Sequence, residues 1–310
     1  MGEIIEIKRK SRVAVLGLGV SGRAAAGYAL FRGAEVLISD SRSEKQLSSE
    51  ERALLSQPRV KWEAGGHSHQ FLAEANLVLL SPGIDPDLPL LADLRRQGVP
   101  VVGELAVVAR QIPVPLIAVS GTNGKTTVTT LIGELLTEGG KKVFVGGNIG
   151  TPLYDYLRDP AGYEYVVAEL SSFQLQSIGA FAPDIAVLLN ITPDHLDRHH
   201  DFATYRAAKM QLFANRSRGT PAILNGDDPV CREIAADLDG GCLLFGSGAD
   251  CAARPEGEGV TLLWQGDQER YLLQETPLAL GMGPLNAAAA ILAGRCAGCC
   301  PQEIQAALRR

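Results

Sequence analysis

The sequence predicts two α/β domains in series: an N-terminal Rossmann-like domain with a parallel sheet, then a central α/β domain built around a phosphate loop. Three observations carry this. A strand–helix–strand alternation opens the chain around Gly17-Leu-Gly-Val-Ser-Gly22. A second alternation restarts near Leu116 and passes through Ser120-Gly-Thr-Asn-Gly-Lys-Thr-Thr127. Between them Gln111-Ile-Pro-Val-Pro-Leu116 carries two prolines, the punctuation of a linker. The domains are therefore drawn as 1–110 and 111–305, with 306–310 opening whatever follows.

In the first domain, residues 12–16 and 35–39 are short β-rich apolar runs, and the alanine-rich 22–31 between them is helical. Residues 77–80 and 99–102 read as further buried strands, with Pro100 tolerable only at a strand start or edge. Residues 88–96 read as a helix with Pro89 in its first turn. In the second domain the strands are 116–119, 142–145, 165–168, 185–189 and 222–224, and the helices 126–138, 204–213 and 285–294. Residues 242–245 and 259–264 suggest shorter strands, possibly antiparallel.

The bulk numbers narrow the class. At 310 residues with 46% hydrophobic and 21% charged, the chain can bury two cores. A net charge of −6 gives no basic field for nucleic acid, so none is expected as a partner. The apolar runs are too short to span a bilayer, and the charged start MGEIIEIKRK lacks the pattern of a signal peptide. The six cysteines, at 231, 242, 251, 296, 299 and 300, offer no second pair at zinc-site spacing and read as ordinary thiols.

The second loop carries the stronger chemistry. Strand, glycine loop and helix N-terminus follow one another, and free N–H groups there favour phosphate. Lys125 would reach the β- and γ-phosphates and Thr126 a Mg²⁺, although Val119 stands where the strict motif has its first glycine. Glu169 ends a buried strand at the sheet's carboxyl edge, where ligands bind. The run Asn190-Ile-Thr-Pro-Asp-His-Leu-Asp-Arg-His-His-Asp201 lacks helical metal spacing but could lend His195 to a cation beside the phosphates. Lys209 alone reads as a solvated helix lysine. In the first domain Gly17, Gly19 and Gly22 fit a diphosphate, and Asp40 would meet the ribose if the ligand were NAD.

Taken together these residues resemble the Mur ligase family. The stretches that carry the resemblance are Gly17-Leu-Gly-Val-Ser-Gly22, Ser81-Pro-Gly-Ile84, Ser120-Gly-Thr-Asn-Gly-Lys-Thr-Thr127, Gly146-Gly-Asn-Ile-Gly150, Glu169-Leu-Ser-Ser-Phe-Gln-Leu175, Leu189-Asn-Ile-Thr-Pro-Asp-His-Leu-Asp-Arg198 and Tyr205-Arg-Ala-Ala-Lys209. They keep the family's order to about residue 226, and Glu169-Leu-Ser-Ser-Phe-Gln points to its D-glutamate-adding branch.

The resemblance implies a cytoplasmic, monomeric ligase of peptidoglycan synthesis that joins D-glutamate to UDP-N-acetylmuramoyl-L-alanine through an acyl phosphate. Its cofactors would be ATP and Mg²⁺ at two sites: Thr126 and Glu169 at one, His195 and a carbamylated Lys209 at the other. Lys125, His195 and Lys209 would be catalytic, and Gly121, Thr122, Asn123, Gly124, Lys125, Thr126, Thr127 and Asn286 would bind ATP. The first loop then passes to the UDP-sugar, with Gly19, Val20, Ser21, Asp40, Ser41, Arg42, Ser81 and Gly83 as neighbours. Asn148, Ser171 and Gln174 would touch the acceptor substrate.

Two departures qualify this. Gly281-Met-Gly-Pro-Leu-Asn286 stands where the family shows Gly-x-His-Asn-x-x-Asn beside adenine. The chain also ends before the family's His-Arg and Asp-Ser-Lys motifs, which implies a missing third domain for the incoming amino acid and a poorly active ligase. They motivate one alternative, a non-catalytic binding or regulatory module. The full G-x-G-x-x-G followed by Asp40 motivates another, an NAD-dependent oxidoreductase domain.

Overall fold

Successive residues of a strand point to opposite faces, and the first sheet buries both. In the computed structural model, which describes residues 5–309, Val13 and Val15 enter a core with Tyr28, Val36 and Ile38. Ala14 and Leu16 enter a second core, with Leu37, Val78, Leu91 and Leu94. Residues 1–4, the first part of the N-terminal run examined for a signal peptide, and residue 310, the end of the 306–310 segment, lie outside the described residues.

Contacts divide the chain into two units. The first takes Met1–Gln111 together with Pro152–Pro160 and Gln176–Phe181, two segments that a single break in sequence near residue 110 does not anticipate. For Pro152–Pro160 the physical reason is packing: Tyr154 is buried in the same core as Tyr28, with ring centroids 5.7 Å apart. This unit carries β1 (Arg12–Leu16), β2 (Glu35–Asp40), β3 (Val60–Ala64), β4 (Leu77–Leu80) and β5 (Val101–Val102). They pair in parallel in the order β3-β2-β1-β4-β5, so strand order reverses between β1 and β4. Ligands of open α/β sheets bind at such a reversal. The helix Val20–Phe31 follows β1, and its alanines pack onto the sheet. Pro100 falls just before the edge strand β5, where its carbonyl still accepts from Val78 at 2.8 Å. β3 escapes the sequence reading because, as the other edge, it has no fully buried residue to form an apolar run.

The second unit, Ile112–Thr151, Ala161–Leu175 and Ala182–Arg310, holds β6 (Leu116–Ser120), β7 (Val143–Gly147), β8 (Tyr165–Glu169), β9 (Ile185–Leu188) and β10 (Ala222–Asn225). Then come β11 (Cys242–Phe245), β12 (Ala253–Glu256), β13 (Gly259–Trp264) and β14 (Asp267–Leu272). One sheet joins them in the order β14-β13-β12-β11-β10-β9-β6-β8-β7. Residues 242–245 are a correction: β11 runs parallel to β10, and only β12, β13 and β14 pair antiparallel among themselves. The helices Lys125–Glu138 and Gly283–Cys296 share one core, in which Ala287 to Ala293 are fully buried beside Val128, Leu131, Ile132 and Leu135. Among the described residues no helix is long and apolar enough to cross a membrane.

Candidate active site

In the second unit β6 ends at the buried Ser120, and the chain turns through Gly121, Thr122, Asn123 and Gly124 into the helix that begins at Lys125. Gly124 closes the turn with φ 83°, a left-handed conformation that glycine takes without strain. A Cβ there would also lie 2.7 Å from Oδ1 of Asn286. Asn286, expected beside adenine, thus stands against the end of the phosphate loop.

One side chain makes three bonds to the loop. Oδ1 of Asn190, just past β9, accepts the N–H groups of Thr122 at 3.0 Å and Asn123 at 2.8 Å, while its Nδ2 donates to the Asn123 carbonyl at 3.1 Å. Thr122 adds a second tie. Its hydroxyl accepts from Thr192 N–H at 3.0 Å and lies 3.0 Å from the Tyr205 hydroxyl. Asn190 and Tyr205 were not singled out from the sequence as site residues. The rule that picked Glu169, a polar residue directly after a buried strand, selects Asn190 equally.

Behind the loop sits Glu169, 2% exposed at the end of β8. It accepts the Thr126 hydroxyl at Oε2 (2.8 Å) and the Asn148 amide at Oε1 (2.8 Å). Nζ of Lys125 donates to the Thr122 carbonyl at 2.7 Å, and burial lowers its pKa against the pull of Glu169 and Asp194. Lys209 is not solvated, as its local sequence suggests; it is 1% exposed. Its Nζ donates to the Gly121 carbonyl at 2.6 Å. Burial first, then Lys125 nearby, brings its pKa down to about 7.

The other expected residues are placed differently. His195 is half-exposed with φ 51°, its ring 3.5 Å from Asp194 and 5.1 Å from the Phe173 centroid. Among the described residues no hydrogen bond or ion pair joins His195 to Lys209. Ser171 donates its hydroxyl and its N–H to Oε1 of the buried Gln174, both at 2.9 Å, so these two side chains shape one turn. Thr126 and Thr127 are exposed on the first helical turn.

A divalent cation fits this donor set in one respect. Thr126 and Glu169 offer hard oxygens side by side at a phosphate loop, the arrangement Mg²⁺ completes with substrate phosphates. No group of three or more His, Cys, Asp or Glu side chains that could hold a metal exists among the described residues, so a cation here would depend on the nucleotide for its remaining ligands.

The first unit has its own loop. Gly19 caps the helix from Val20, and Gly22 packs so closely that a Cβ would fall 1.8 Å from the Gly17 carbonyl oxygen. Ser81 donates to that oxygen at 2.9 Å, tying β4 to the loop. Asp40, 5% exposed, accepts Leu18 N–H at 2.6 Å and Arg42 Nη2 at 3.0 Å on Oδ2, and Arg42 N–H and Nε on Oδ1. Burial would raise its pKa, but these bonds outweigh burial and hold it below the usual value. Both carboxylate oxygens are thus committed to loop and arginine, which disfavours the ribose contact of an NAD site. Val20, Ser41 and Gly83 are exposed beside them, while Ser21 and Arg42 are partly buried.

Residues 119–257 match the Mur ligase middle domain, and residues 11–103 the MurD-like N-terminal domain of Mur ligases. The chain is 47% identical over 297 residues to a UDP-N-acetylmuramoylalanine--D-glutamate ligase of Desulfotalea psychrophila, covering 94% of this chain and 64% of that protein. It is 38% identical to the ligase of that name from Acidobacterium capsulatum, covering 98% of this chain and 67% of the relative. The fold is shared with UDP-N-acetylmuramate:L-alanyl-gamma-D-glutamyl-meso-diaminopimelate ligase of Neisseria meningitides (TM-score 0.67, 18% identity, 97% of this chain and 98% of that one). It is shared too with UDP-N-acetylmuramate-alanine ligase of Thermotoga maritima (TM-score 0.56, 21% identity, 96% and 68%). The glycine loops, the acidic strand end and these matches agree: the chain belongs to the Mur ligase family.

Proposed function

We propose that this chain forms the UDP-sugar and ATP portions of an ATP-dependent ligase that adds D-glutamate to UDP-N-acetylmuramoyl-L-alanine. The observation that carries the reading is the junction of Lys125, Thr126 and Glu169 at the loop–helix turn of the second unit. The substrate carboxylate attacks the γ-phosphorus of ATP; a C–O–P bond forms, the β,γ-bridge breaks and ADP leaves. The D-glutamate amine then attacks the acyl carbon, loses its proton, and inorganic phosphate departs with the C–O bonding pair.

Two anions must meet in line, so this chain's task is positioning and charge neutralisation. The N–H groups where the loop meets the helix would cradle the phosphates, while those of Thr122 and Asn123 stay with Asn190 and fix the loop's shape. Lys125 releases the Thr122 carbonyl and turns to the γ-phosphate. Thr126 and Glu169 would hold Mg²⁺, which supplies positive charge opposite the phosphate oxygens. His195 and Lys209 would hold a second ion, with Lys209 as a carbamate: its amine adds to CO₂, one proton leaves, and a carboxylate-like ligand replaces a cation. Support for that step is the burial of Lys209 against the phosphate loop. In the first unit the glycine loop takes the diphosphate of UDP.

The test is calorimetric titration with UDP-N-acetylmuramoyl-L-alanine, then Mg²⁺-ATP, followed by hydroxylamine trapping. Binding of both ligands and ATP-dependent formation of the acyl hydroxamate are expected. No heat from the UDP-sugar at high micromolar concentration, or binding of both without hydroxamate, overturns the ligase reading.

A further inference from the structure

One end of the first unit is basic, although the chain as a whole carries a net charge of −6. In its parallel sheet the strand starts share one end, and the glycine loop after Leu16 lies at the other. At the starting end Lys8, Arg9 and Lys10 form a turn just before β1, and all three are exposed. The turn is fixed in place. Ile7, 1% exposed, anchors it in the first core. Ser11 donates its N–H to the Lys8 carbonyl at 3.1 Å, and Lys10 N–H reaches the Gly33 carbonyl at 2.9 Å.

Gly33 leads into β2 and marks where the cations meet. A Cβ placed there would lie 3.1 Å from Cγ of Arg9 and 3.8 Å from Nη1 of Arg59, so two arginines flank one point. Arg59 leads into β3 and donates to the Leu30 and Ala34 carbonyls, at 2.9 and 3.4 Å. Among the described residues no acidic side chain pairs with Lys8, Arg9 or Lys10. Nearby carboxylates are engaged elsewhere: Glu6 with Arg32 at 3.1 Å, and Glu74 with Lys61 at 3.4 Å. Glu35, exposed, is the register partner of Arg12. Phe31 ends the helix two residues before Gly33 and is 62% exposed. Alone, an exposed ring is ordinary. Beside four gathered cations, whose mutual repulsion works against the fold, it completes an amphipathic face.

We infer that this face docks on an anionic lipid surface. Headgroup phosphates answer Lys8, Arg9, Lys10 and Arg59, and Phe31 enters the boundary between headgroups and acyl chains. A soluble polyanion would meet the same cations but leave Phe31 in water. Each cation close to the surface strengthens binding about fivefold. The attraction is screened over about 10 Å at 0.1 M salt. A chain of net charge −6 is repelled by such a surface unless a local basic face leads the approach. The glycine loop, at the far ends of the strands, stays open to solution.

Co-sedimentation of the whole chain with vesicles tests this, using phosphatidylcholine alone or mixed about two to one with phosphatidylglycerol. At about 0.05 M salt the chain should pellet with the anionic vesicles only, and about 0.5 M salt should release it. Arg9→Glu combined with Lys10→Asn should weaken vesicle binding at least tenfold. Asparagine suits position 10, where φ is 64°. Phe31→Ser should weaken binding at least threefold. Arg218→Glu, at an exposed cation of the second unit, should weaken it less than twofold. No pelleting with anionic vesicles at low salt overturns the inference, as does an equal loss in Arg218→Glu. Binding that Phe31→Ser leaves at full strength shows that the ring stays out of the lipid and overturns it too. Tighter binding to soluble polyglutamate than to vesicles makes an acidic protein the partner and overturns the lipid reading. Circular dichroism melts verify folding, and Lys8→Glu, with about fivefold weaker binding expected, decides if the double variant does not fold.

Discussion

At the scale of single residues, the loops are shaped by side chains that point at backbone rather than at ligand. Asn190→Ala leaves Asn123 N–H without its partner, while Thr122 N–H keeps the residue-190 carbonyl, and the change should cost about 1–3 kcal/mol of stability. Denaturant unfolding measures that loss, and the Mg²⁺-ATP dissociation constant should rise at least tenfold; an unchanged constant would show that the loop holds its shape without Asn190. Asp40 is the counterpart in the first unit, with a depressed pKa in the folded state. Its contribution is complete above the unfolded carboxylate value and is lost as pH falls through the lower folded value. Asp40→Asn should therefore destabilise at pH 7, with the gap from wild type closing below about pH 4; urea titrations at pH 7 and pH 3 check the sign. The convergence of Lys125, Thr126 and Glu169 on one loop–helix turn was legible because motif and strand end fix their places. Lys209 and Asn190 were less so, since burial and partners depend on segments about seventy to ninety residues away.

At the scale of elements, apolar period and glycine punctuation located β1, β2, β4 and most of the second sheet's core strands. They missed β3, β12 and β14, which lie at sheet edges or in the antiparallel extension, where one face stays wet and no apolar run forms. The short helix Leu153–Arg158 was missed for a different reason, because six residues show too little periodicity. The alanine helix Gly283–Cys296 was found from composition, but the reason for its composition is packing. Residues 287–293 are 0% exposed, packed between the helix Lys125–Glu138 and the sheet, and the alanines among them let these elements approach closely. Ala289→Leu should overpack this seam and cost about 1–3 kcal/mol. A melting temperature within a degree of wild type would show that the seam can open.

At the scale of the whole molecule, the two-domain order was readable from the proline-rich break near residue 111, while the true partition was not. The unit boundaries fall after residues 111, 151, 160, 175 and 181, so the backbone passes between the units five times. A sequence read as beads on a string sees only the first passage. The two around 152–160 go with Tyr154, whose large buried ring joins the core of Tyr28 more than a hundred positions earlier.

That braided path has a consequence for dissection. Residues 1–111 made alone would carry Tyr28 without Tyr154 to cover it, and the fragment should behave as a loosened globule that binds hydrophobic dyes and melts without cooperativity. A fragment that melts sharply would show that Tyr154 is dispensable. The two glycine loops are then separate in the fold but not in covalent architecture. No single cut of the chain releases either one whole, and recombining this protein with a relative by swapping at one crossover near 111 would exchange a pocket while leaving part of its scaffold behind.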